Sequence, residues 1–475
     1  MKSNFLLLLI SIIFLIGCKN IDSKNTSDLS EINKNQRIYQ TLIDSLMKVS
    51  YERGVFNGNI LVAKNNKIIY QNEIGYTDGS KLKKLNRNSI FNIGSIGKEF
   101  NAVAIMMLKE KGLLNLDDKI SKFKINLPEW SNTISINHLL QYTSGLPRVK
   151  WRTVKNEKDI FADLRKIKQL NFKPGSGYIY SINNIILQRK IIEKVSGMSY
   201  VDFIQKNLLN PSNMTGALID PSSQNLQLAK PFNNDFINDK PMDIEITGWV
   251  HPTVSDMRNW IGSLHSGKLI SKESLAQLFD SYSKSSESAL GVGKFENDKL
   301  SIHQHQGSSF NYESFIHYNV QEDLSIVLMT NNKNFKLREI AESIENITKG
   351  NAFSIPQKSV YLTIRQKCYD NVNEGIQFYK DLKKNFPDTY NFSNESELNR
   401  VGYKLIERDQ IEDAIKIFEL LVAEFPNSPN SYDSIGEAYY LNGNNDLAIR
   451  NYKKSLQLNP NNSNAIEIIE KINKK

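Results

Sequence analysis

The sequence predicts an α+β region followed by an all-helical module. Residues 313–319 and 324–330 alternate apolar and polar side chains, which is typical of neighbouring β-strands, and helical patterns precede them. Residues 356–475 instead contain an internal sequence repeat with a period of 34 residues, which is typical of stacked helix pairs. With 475 residues, 40% of them hydrophobic and 23% charged, the chain has the composition of globular protein and the length of two or three domains.

The N-terminus carries an export signal pattern. Residues 5–16 are an uninterrupted apolar run, which is too short to span a ~30 Å hydrocarbon core as a helix. The glycine before Cys18 completes a pattern that resembles the lipobox of bacterial lipoproteins. Residues 1–18 are then a lipoprotein signal that ends at this cysteine: the resemblance implies that the residues before Cys18 are removed and that Cys18 becomes the lipidated first residue. A simple signal peptide with a chance cysteine is the alternative. The polar residues 19–44 are expected to form a tether, and the protein is expected in the bacterial cell envelope.

The positive charge is confined to the first part of the chain. The net charge is +9, but residues 356–475 hold 16 Lys and Arg against 17 Asp and Glu, so the preceding residues carry +10. No basic stretch with interleaved aromatic residues and no zinc-finger spacing is present, and we therefore expect no nucleic-acid partner. The basic part is expected to favour anionic partners or surfaces.

The C-terminal module resembles the tetratricopeptide repeat. Glycine, alanine, aromatic and proline positions recur at the 34-residue offset: Gly402 and Gly436, Ala414 and Ala448, Phe418 and Tyr452, Pro426 and Pro460. A third, degenerate copy begins near Pro356, so about three helix pairs are expected over residues 356–475. The resemblance implies a peptide or protein partner, whereas helical hairpins of no family are the alternative. Cys368 is expected to be a small buried apolar residue.

Ser95 is the candidate nucleophile. It lies between glycines and opens a very apolar stretch that ends at Lys111 and Gly112, which predicts a buried helix. Lys98 lies one turn later on the same face, where poor solvation is expected to lower its pKa and let the amine help to deprotonate the serine. Ser-x-x-Lys also occurs elsewhere, but only Ser95 combines the glycine-flanked turn with the buried helix; the other copies begin at Ser45, Ser80, Ser121 and Ser281.

A second element centres on Tyr180. A Pro-Gly turn leads to this tyrosine, which stands before an amphipathic helix predicted over residues 183–195. A phenol next to a lysine can move a proton between a nucleophile and a leaving group. A tyrosine after a turn is more often a packing residue, so the pattern alone leaves both interpretations open.

A third element is the segment from His303 to Gly307. The two histidines, His303 and His305, are expected on one face of a strand. A His-x-His pair can bind zinc, but no Cys or further His stands nearby in the sequence, and we expect no metal and no cofactor.

These three elements, in this order and spacing, resemble the serine β-lactamase and penicillin-binding-protein family, in the branch that includes class C β-lactamases, D-stereospecific peptidases and related esterases. The resemblance covers about 300 residues, 45–345, and extends to the segments 138–147, 248–256 and 289–293. It implies a β-lactamase-like fold, with an antiparallel sheet flanked by helices and a helical domain.

The resemblance also implies a role for each site residue. Ser95 would be acylated, Lys98 would be its general base, Tyr180 would shuttle the proton, and His305 occupies the place of the lysine in the family's Lys-Thr-Gly triplet. The oxyanion hole would use the backbone N–H of Ser95 and one from the strand just after Gly307, near Ser309.

Two departures from the family pattern bear on the substrate. Ile182 replaces the asparagine of the Tyr-x-Asn triplet, and Asn183 can substitute for it only if the turn is rearranged. His305 is expected to be mostly neutral at pH 7 because the pKa of an unperturbed imidazole is ~6.5. Because of both changes, we do not expect the protein to hydrolyse β-lactams efficiently.

The expected reaction is acyl transfer to water through a Ser95 ester. The substrate would be a peptide, an amide or an ester, with peptidoglycan-derived and D-amino-acid peptides among the candidates. The alternative is a catalytically degenerate scaffold or sensor whose repeats bind a partner protein. The presence of Ser95, Lys98 and Tyr180 together favours the enzyme.

Overall fold

The computed structural model of the protein describes residues 23–151, 153–240, 246–284 and 286–474, with side chains from residue 36 onward. The predicted signal, residues 1–18 with the lipidation site Cys18, lies outside the described residues. Among the described residues, no helix combines the length and the apolar character that crossing a membrane requires.

The centre of the first part is a six-stranded antiparallel sheet. The strands of the described residues are β1 (Gly58–Lys64), β2 (Lys67–Ile74), β3 (Leu218–Ile219), β4 (Val250–His251), β5 (Val292–Glu296), β6 (Lys299–Ser309), β7 (Tyr312–Asn319) and β8 (Leu324–Thr330). The sheet has the strand order β2-β1-β8-β7-β6-β5, and β3 and β4 form a separate two-stranded ribbon. The predicted antiparallel sheet is therefore confirmed.

Helices surround this sheet and make up the second part of the chain. Those of the first part are α1 (Ser23–Glu52), α2 (Lys98–Glu110), α3 (Ile136–Leu140), α4 (Glu157–Lys166), α5 (Ile182–Ser196), α6 (Tyr200–Ile204), α7 (Val254–His265), α8 (Lys272–Gln277) and α9 (Leu337–Thr348). Those of the second part are α10 (Val360–Asp370), α11 (Val372–Asn385), α12 (Ser396–Ile406), α13 (Ile411–Glu424), α14 (Pro429–Leu441), α15 (Asn445–Leu458) and α16 (Ser463–Asn473).

The two faces of the sheet are buried in separate cores, because successive side chains of a strand point to opposite faces. In β1, Ile60 and Val62 pack with helices α1 and α9, whereas Leu61 and Ala63 join the larger core that holds α2, α5 and α7. Both faces are thus covered by helices. Helix α2 is buried from Lys98 to Met106, as the absence of a polar face predicted.

Helix α1 changes the expected boundary of this part. The segment 19–44, expected to be a tether, is helical from Ser23 onward. The physical reason is that Ile43, Leu46 and Met47 recur at helical spacing and are buried against the sheet and α9. The predicted boundary at residue 45 therefore falls inside a continuous helix.

Helices α10 to α15 form three contacting pairs, α10 with α11, α12 with α13 and α14 with α15, and α16 packs against α15, which confirms the helical module. The first pair meets closely, since a Cβ added to Gly375 would lie 2.4 Å from Cys368 Sγ. Cys368 is fully buried, and burial raises the pKa of its thiol to about 12. The module also contacts the first part: Arg53 Nη1 donates to Pro356 O at 3.0 Å, and the Arg400 guanidinium lies 4.8 Å from the Phe335 ring.

Candidate active site

Ser95 lies in a short 3-10 turn, Gly94–Gly97, that leads into α2. This turn packs directly against the end of β6. A Cβ on Gly94 would lie 2.4 Å from the Ser308 backbone nitrogen, and a Cβ on Gly307 would lie 1.8 Å from Ile93 O. Gly94 also has a φ of +53°, in the left-handed region. Glycine at both positions therefore allows the backbone of the Gly94–Gly97 turn to pack directly against the backbone at the end of β6.

The structure brings Ser95, Lys98 and Tyr180 together from two elements. Ser95 Oγ and Tyr180 Oη are 2.7 Å apart, at hydrogen-bond distance. Lys98 Nζ lies 3.7 Å from the centroid of the Tyr180 ring. Tyr180 reaches this position because α5 starts two residues later with Ser181 as its N-cap. Ser95 and Tyr180 are thus in hydrogen-bond contact and Lys98 lies against the Tyr180 ring, so the three side chains that the sequence singled out share one small region.

Lys98 carries a buried amine. Its side chain is 2% exposed, and Nζ has no partner among the described residues. Burial lowers the pKa of Lys98 to about 7, and the negative charge of Glu287 acts in the opposite direction. A large fraction of the amine is therefore neutral near pH 7, as an acceptor of the serine proton must be.

His305 is enclosed by two carboxylates. Its Nδ1 lies 2.7 Å from Glu99 Oε1 and its Nε2 lies 2.9 Å from Glu287 Oε1, and the ring is 2% exposed. Burial acts to lower the pKa of His305, but the hydrogen bonds and charges of Glu287 and Glu99 outweigh it and raise that pKa. The imidazolium is thus favoured more strongly than the sequence indicated. Nδ1 is at hydrogen-bond distance from Glu99, whereas Nε2, although 2.9 Å from Glu287 Oε1, makes no well-directed hydrogen bond to any of the described residues.

Glu99 organises the interior behind the nucleophile. It is fully buried and accepts a 2.7 Å hydrogen bond from Trp260 Nε1, while His303 Nε2 lies 3.2 Å from its Oε1. Burial acts to raise the pKa of Glu99, but the neighbouring histidines His303 and His305 lower it to about 2. His303 and His305 do share a face, as predicted, and the group that they share is Glu99.

Sequence reasoning missed both Glu99 and Glu287. A charged residue directly after Lys98, inside an apolar helix, was a usable signal for Glu99, because buried charges require partners. Glu287 gave no local signal, since it lies in a loop whose position depends on β6. Among the described residues, no group of three or more His, Cys, Asp or Glu side chains is arranged to hold a metal ion.

A cavity of about 970 Å³ opens over Ser95 and Lys98. Most of its lining surface is apolar, with contributions from Trp151, Ile182, Leu228, Ile246, Trp249, Phe310 and Tyr312, and the basic side chains Lys230, Lys240 and His251 line it as well. Asp220 and Asp239 also line it, but both already accept backbone hydrogen bonds, Asp220 from Trp249 at 2.9 Å and Asp239 from Asn311 at 2.8 Å. The cavity thus presents chiefly apolar surface to whatever occupies it.

The remaining predicted substrate-binding residues differ in position. Ser309 lines the cavity next to Ser308, and Gly307 forms the close contact beneath the serine turn. Ile182 lines the cavity, whereas Asn183 does not. Asn183 is 5% exposed, and its Nδ2 donates to Pro147 O at 2.8 Å. The structure therefore does not bring an amide at position 183 into the place of the missing asparagine.

Comparison with known proteins adds a family match to this geometry. The family model described as Beta-lactamase matches residues 39–347, and the model described as Tetratricopeptide repeat matches residues 429–462. Among curated proteins, the chain is 26% identical to Penicillin-binding protein 4* of Bacillus subtilis over 362 residues, which cover 69% of this chain and 78% of that protein.

Solved structures show the same fold. The chain resembles a penicillin-binding protein from Bacillus halodurans with a TM-score of 0.57 and 19% identity, covering 64% of this chain and 98% of that one. It resembles a class C β-lactamase with a TM-score of 0.56 and 18% identity, covering 66% of this chain and 97% of that one. The residues matched by the Beta-lactamase family model include Ser95, Tyr180 and β6.

Proposed function

Because the chain belongs to the β-lactamase family, we propose that it is an exported serine hydrolase that transfers an acyl group to Ser95 and then to water. The observation that carries the proposal is the contact of Ser95 Oγ with Tyr180 Oη at 2.7 Å, beside a Lys98 amine that has no hydrogen-bond partner in the described part of the chain. A buried amine with a pKa of about 7 next to a serine is suited to nucleophile activation.

In the first step, Ser95 Oγ attacks the carbonyl carbon of the substrate and gives up its proton towards Tyr180 and the neutral Lys98 amine. The developing oxyanion accepts hydrogen bonds from backbone N–H groups of Ser95 and of the β6 end at Ser308 or Ser309. Tyr180 then passes the proton to the leaving group. Water attacks the Ser95 ester by the same path in reverse and releases the acid.

The proposed substrate class is a peptide, an amide or an ester, and the apolar part of the cavity wall favours a substrate with apolar substituents. Ile182 supplies an apolar surface where the family pattern has an amide. Burial of apolar substituents against such a wall contributes roughly 25 cal/mol per Å². Lys230 and Lys240 also line the cavity and can attract an anionic group of the substrate, so peptidoglycan-derived and D-amino-acid peptides remain within the class.

The proposed location is the bacterial cell envelope. The apolar run 5–16 and Cys18 support export and lipid attachment, and the repeats support a protein or peptide partner. The hydrolase would thus act at a membrane surface beside a partner that the repeats hold.

Labelling of the full chain with a fluorescent fluorophosphonate tests the catalytic proposal, because this probe reacts with an activated serine. We expect labelling of the wild type and its loss in Ser95→Ala. The matched control is Ser121→Ala, which removes the serine of another Ser-x-x-Lys sequence and is expected to label like the wild type. If the wild type takes up neither this probe nor a fluorescent penicillin, the protein is a scaffold and the proposal is wrong.

A further inference from the structure

The segment before Ser95 runs beside the segment that contains β4. The Phe91 N–H donates to Pro252 O at 3.2 Å, which joins the two backbones one residue before Asn92 and one residue after His251. The side chains of Asn92 and His251 both line the cavity over Ser95, and His251 is 9% exposed. Each segment therefore contributes a polar side chain to the wall of the cavity that holds the nucleophile.

Three hydrogen bonds connect these side chains to the backbone on either side. Asn92 Oδ1 accepts from the Gly94 N–H at 2.9 Å, and Asn92 Nδ2 lies 3.3 Å from His251 Nε2. At the other end, His251 Nδ1 lies 3.0 Å from Trp249 O. The series of hydrogen bonds therefore begins on the residue directly before Ser95 and ends on the backbone directly before β4.

The two ends of this series fix the direction of every hydrogen bond in it. A backbone N–H can only donate, so Gly94 requires the oxygen of the Asn92 amide, and the amide NH₂ group then faces the imidazole. A carbonyl oxygen can only accept, so Trp249 O requires a proton on His251 Nδ1. Nε2 must then accept from the amide, which it can do only without a proton. One state of the imidazole satisfies the whole series, namely the neutral tautomer with its proton on Nδ1.

The surroundings of His251 favour this neutral state. Burial lowers the pKa of the imidazole below its ordinary value and outweighs the Trp249 hydrogen bond and the Asp220 charge, which raise it. The carbonyl that holds the ring is itself held in place, because the Asp220 N–H donates to Trp249 O at 3.0 Å and the Asp220 carboxylate accepts from the Trp249 N–H at 2.9 Å. A protonated ring would instead turn an N–H group towards the NH₂ group of Asn92.

We propose that Asn92 and His251 are positioning residues of this site: the Asn92 amide holds the backbone directly before Ser95, and the Nδ1–H tautomer of His251 holds the amide. The inference rests on the proposed serine hydrolase function and deepens it. Both residues act through the backbone of Gly94 and not on the substrate. Gly94 is buried, so loss of the amide leaves its N–H without an acceptor, and the turn is expected to rearrange to recover one.

The first test observes the imidazole directly and does not depend on catalysis. Labelling the six histidines of the full chain with ¹⁵N gives ring signals that distinguish protonated from unprotonated nitrogens. Near neutral pH we expect one histidine with a protonated Nδ1 and an unprotonated Nε2 whose signals are absent from the spectrum of His251→Gln. If the signals that are lost in His251→Gln belong to an Nε2–H tautomer or to an imidazolium, the inference is overturned.

The second test is the second-order rate of fluorophosphonate labelling, measured for the folded fraction of each variant. Asn92→Leu keeps the approximate size of the side chain and removes both of its hydrogen bonds, so we expect labelling at least ~10-fold slower than in the wild type. The matched control is Asn88→Leu, which replaces an exposed asparagine four residues earlier and is expected to label like the wild type.

Substitutions of His251 separate a positioning role from a packing role. His251→Leu fills the space but offers no acceptor, and we expect labelling at least ~5-fold slower, whereas the amide oxygen of His251→Gln can accept from Asn92 and is expected to restore the rate to within ~2-fold of the wild type. Because His251 acts through Asn92, adding His251→Leu to Asn92→Leu is expected to slow labelling by no more than a further ~2-fold. Equal rates for the two His251 variants, or fully additive losses in the double variant, overturn the inference.

Failure of the proposed function gives a different result. A wild type that the probe does not label, or that it labels independently of Ser95, overturns the proposed function and the positioning role with it, even where the spectrum shows the Nδ1–H tautomer. A wild type that is labelled at Ser95 while Asn92→Leu is labelled at the same rate leaves the hydrolase in place and overturns the inference alone. If Asn92→Leu does not fold, the comparison of His251→Leu with His251→Gln decides in its place.

Discussion

A methyl group added at Gly307 is expected to separate β6 from the serine turn. The Cβ of Gly307→Ala would lie 1.8 Å from Ile93 O and 2.8 Å from Ser314 Oγ. Carbon and oxygen atoms in contact are about 3.3 Å apart, so the two backbones must open by about 1.5 Å. The opening also breaks the 2.8 Å hydrogen bond that Ser314 Oγ donates to Ile93 O.

The consequences can be given as magnitudes. Overpacking of a closely packed backbone costs about 1–3 kcal/mol of unfolding free energy. A displacement of 1 Å at a reacting centre can reduce the rate by ~100-fold, and Gly307 lies two residues before Ser309 and against the segment that leads to Ser95. We therefore expect Gly307→Ala to fold with reduced stability and to lose labelling by a fluorophosphonate at least ~100-fold.

Labelling rates and urea unfolding of the same preparations decide this prediction. The matched control is Gly262→Ala, in an exposed position of α7 where an added Cβ meets nothing within 4 Å. This variant is expected to label like the wild type and to gain up to about 1 kcal/mol from helix propensity. If Gly307→Ala stays folded and labels at the wild-type rate, the geometry at the strand end does not control the nucleophile, and the reasoning fails.

Two further predictions concern the cavity wall and the buried acid. Ile182→Asn places an amide in the cavity. We expect this variant to be acylated by a fluorescent penicillin about tenfold faster than the wild type, because one added hydrogen bond contributes about 1.4 kcal/mol. Ile182→Leu is the apolar control, and equal acylation rates for the two variants would contradict the prediction. Glu99, whose pKa is lowered to about 2 from an ordinary 4.5, stabilises the folded state by about 3 kcal/mol above pH 4.5, and this contribution is lost as the pH falls through 2. In urea unfolding from pH 2 to 6, the difference between the wild type and Glu99→Gln should therefore shrink as the pH falls, and a constant difference would contradict the assignment.

The elements with a clear local pattern could be predicted from the sequence. The amphipathic helix expected over 183–195 is α5, and it ends where Gly197 adopts a φ of +69°. The alternating stretches are β7 and β8, and the 34-residue period marks the helix pairs. In each case the signal and the structure have the same origin, which is the burial of one face of a local element. Local patterns of this kind carry no information about which elements meet.

The parts that sequence reasoning missed depend on contacts between distant segments. Asn183 illustrates the difficulty, because its amide bonds to Pro147 O, 36 positions earlier, instead of entering the cavity. His305 illustrates it too, since the expectation of a mostly neutral ring used the pKa of an isolated imidazole. The surroundings that raise its pKa come from α2 and from the turn at residues 286–291. Neither composition nor a motif can predict the electrostatic environment of His305, because the charged groups that surround it come from segments that are far apart in the sequence.

His305 stands on β6 where the family pattern has a lysine, so the positive charge at this position depends on the groups around the imidazole. A lysine would carry its charge at pH 7 without help, whereas the ionisation of the His305 imidazole depends on Glu99 and Glu287, which lie 2.7 and 2.9 Å from its nitrogens and raise its pKa. With Glu99 and Glu287 ionised and His305 protonated, the three groups carry one net negative charge, and Glu287 is the member of this group whose charge acts on the Lys98 amine. Neutralising Glu287 therefore perturbs both the histidine and the lysine, whereas neutralising Glu99 perturbs the histidine that it contacts. A substitution at Glu287 should accordingly be evaluated by its effect on the proton of Lys98 as well as on its own contacts.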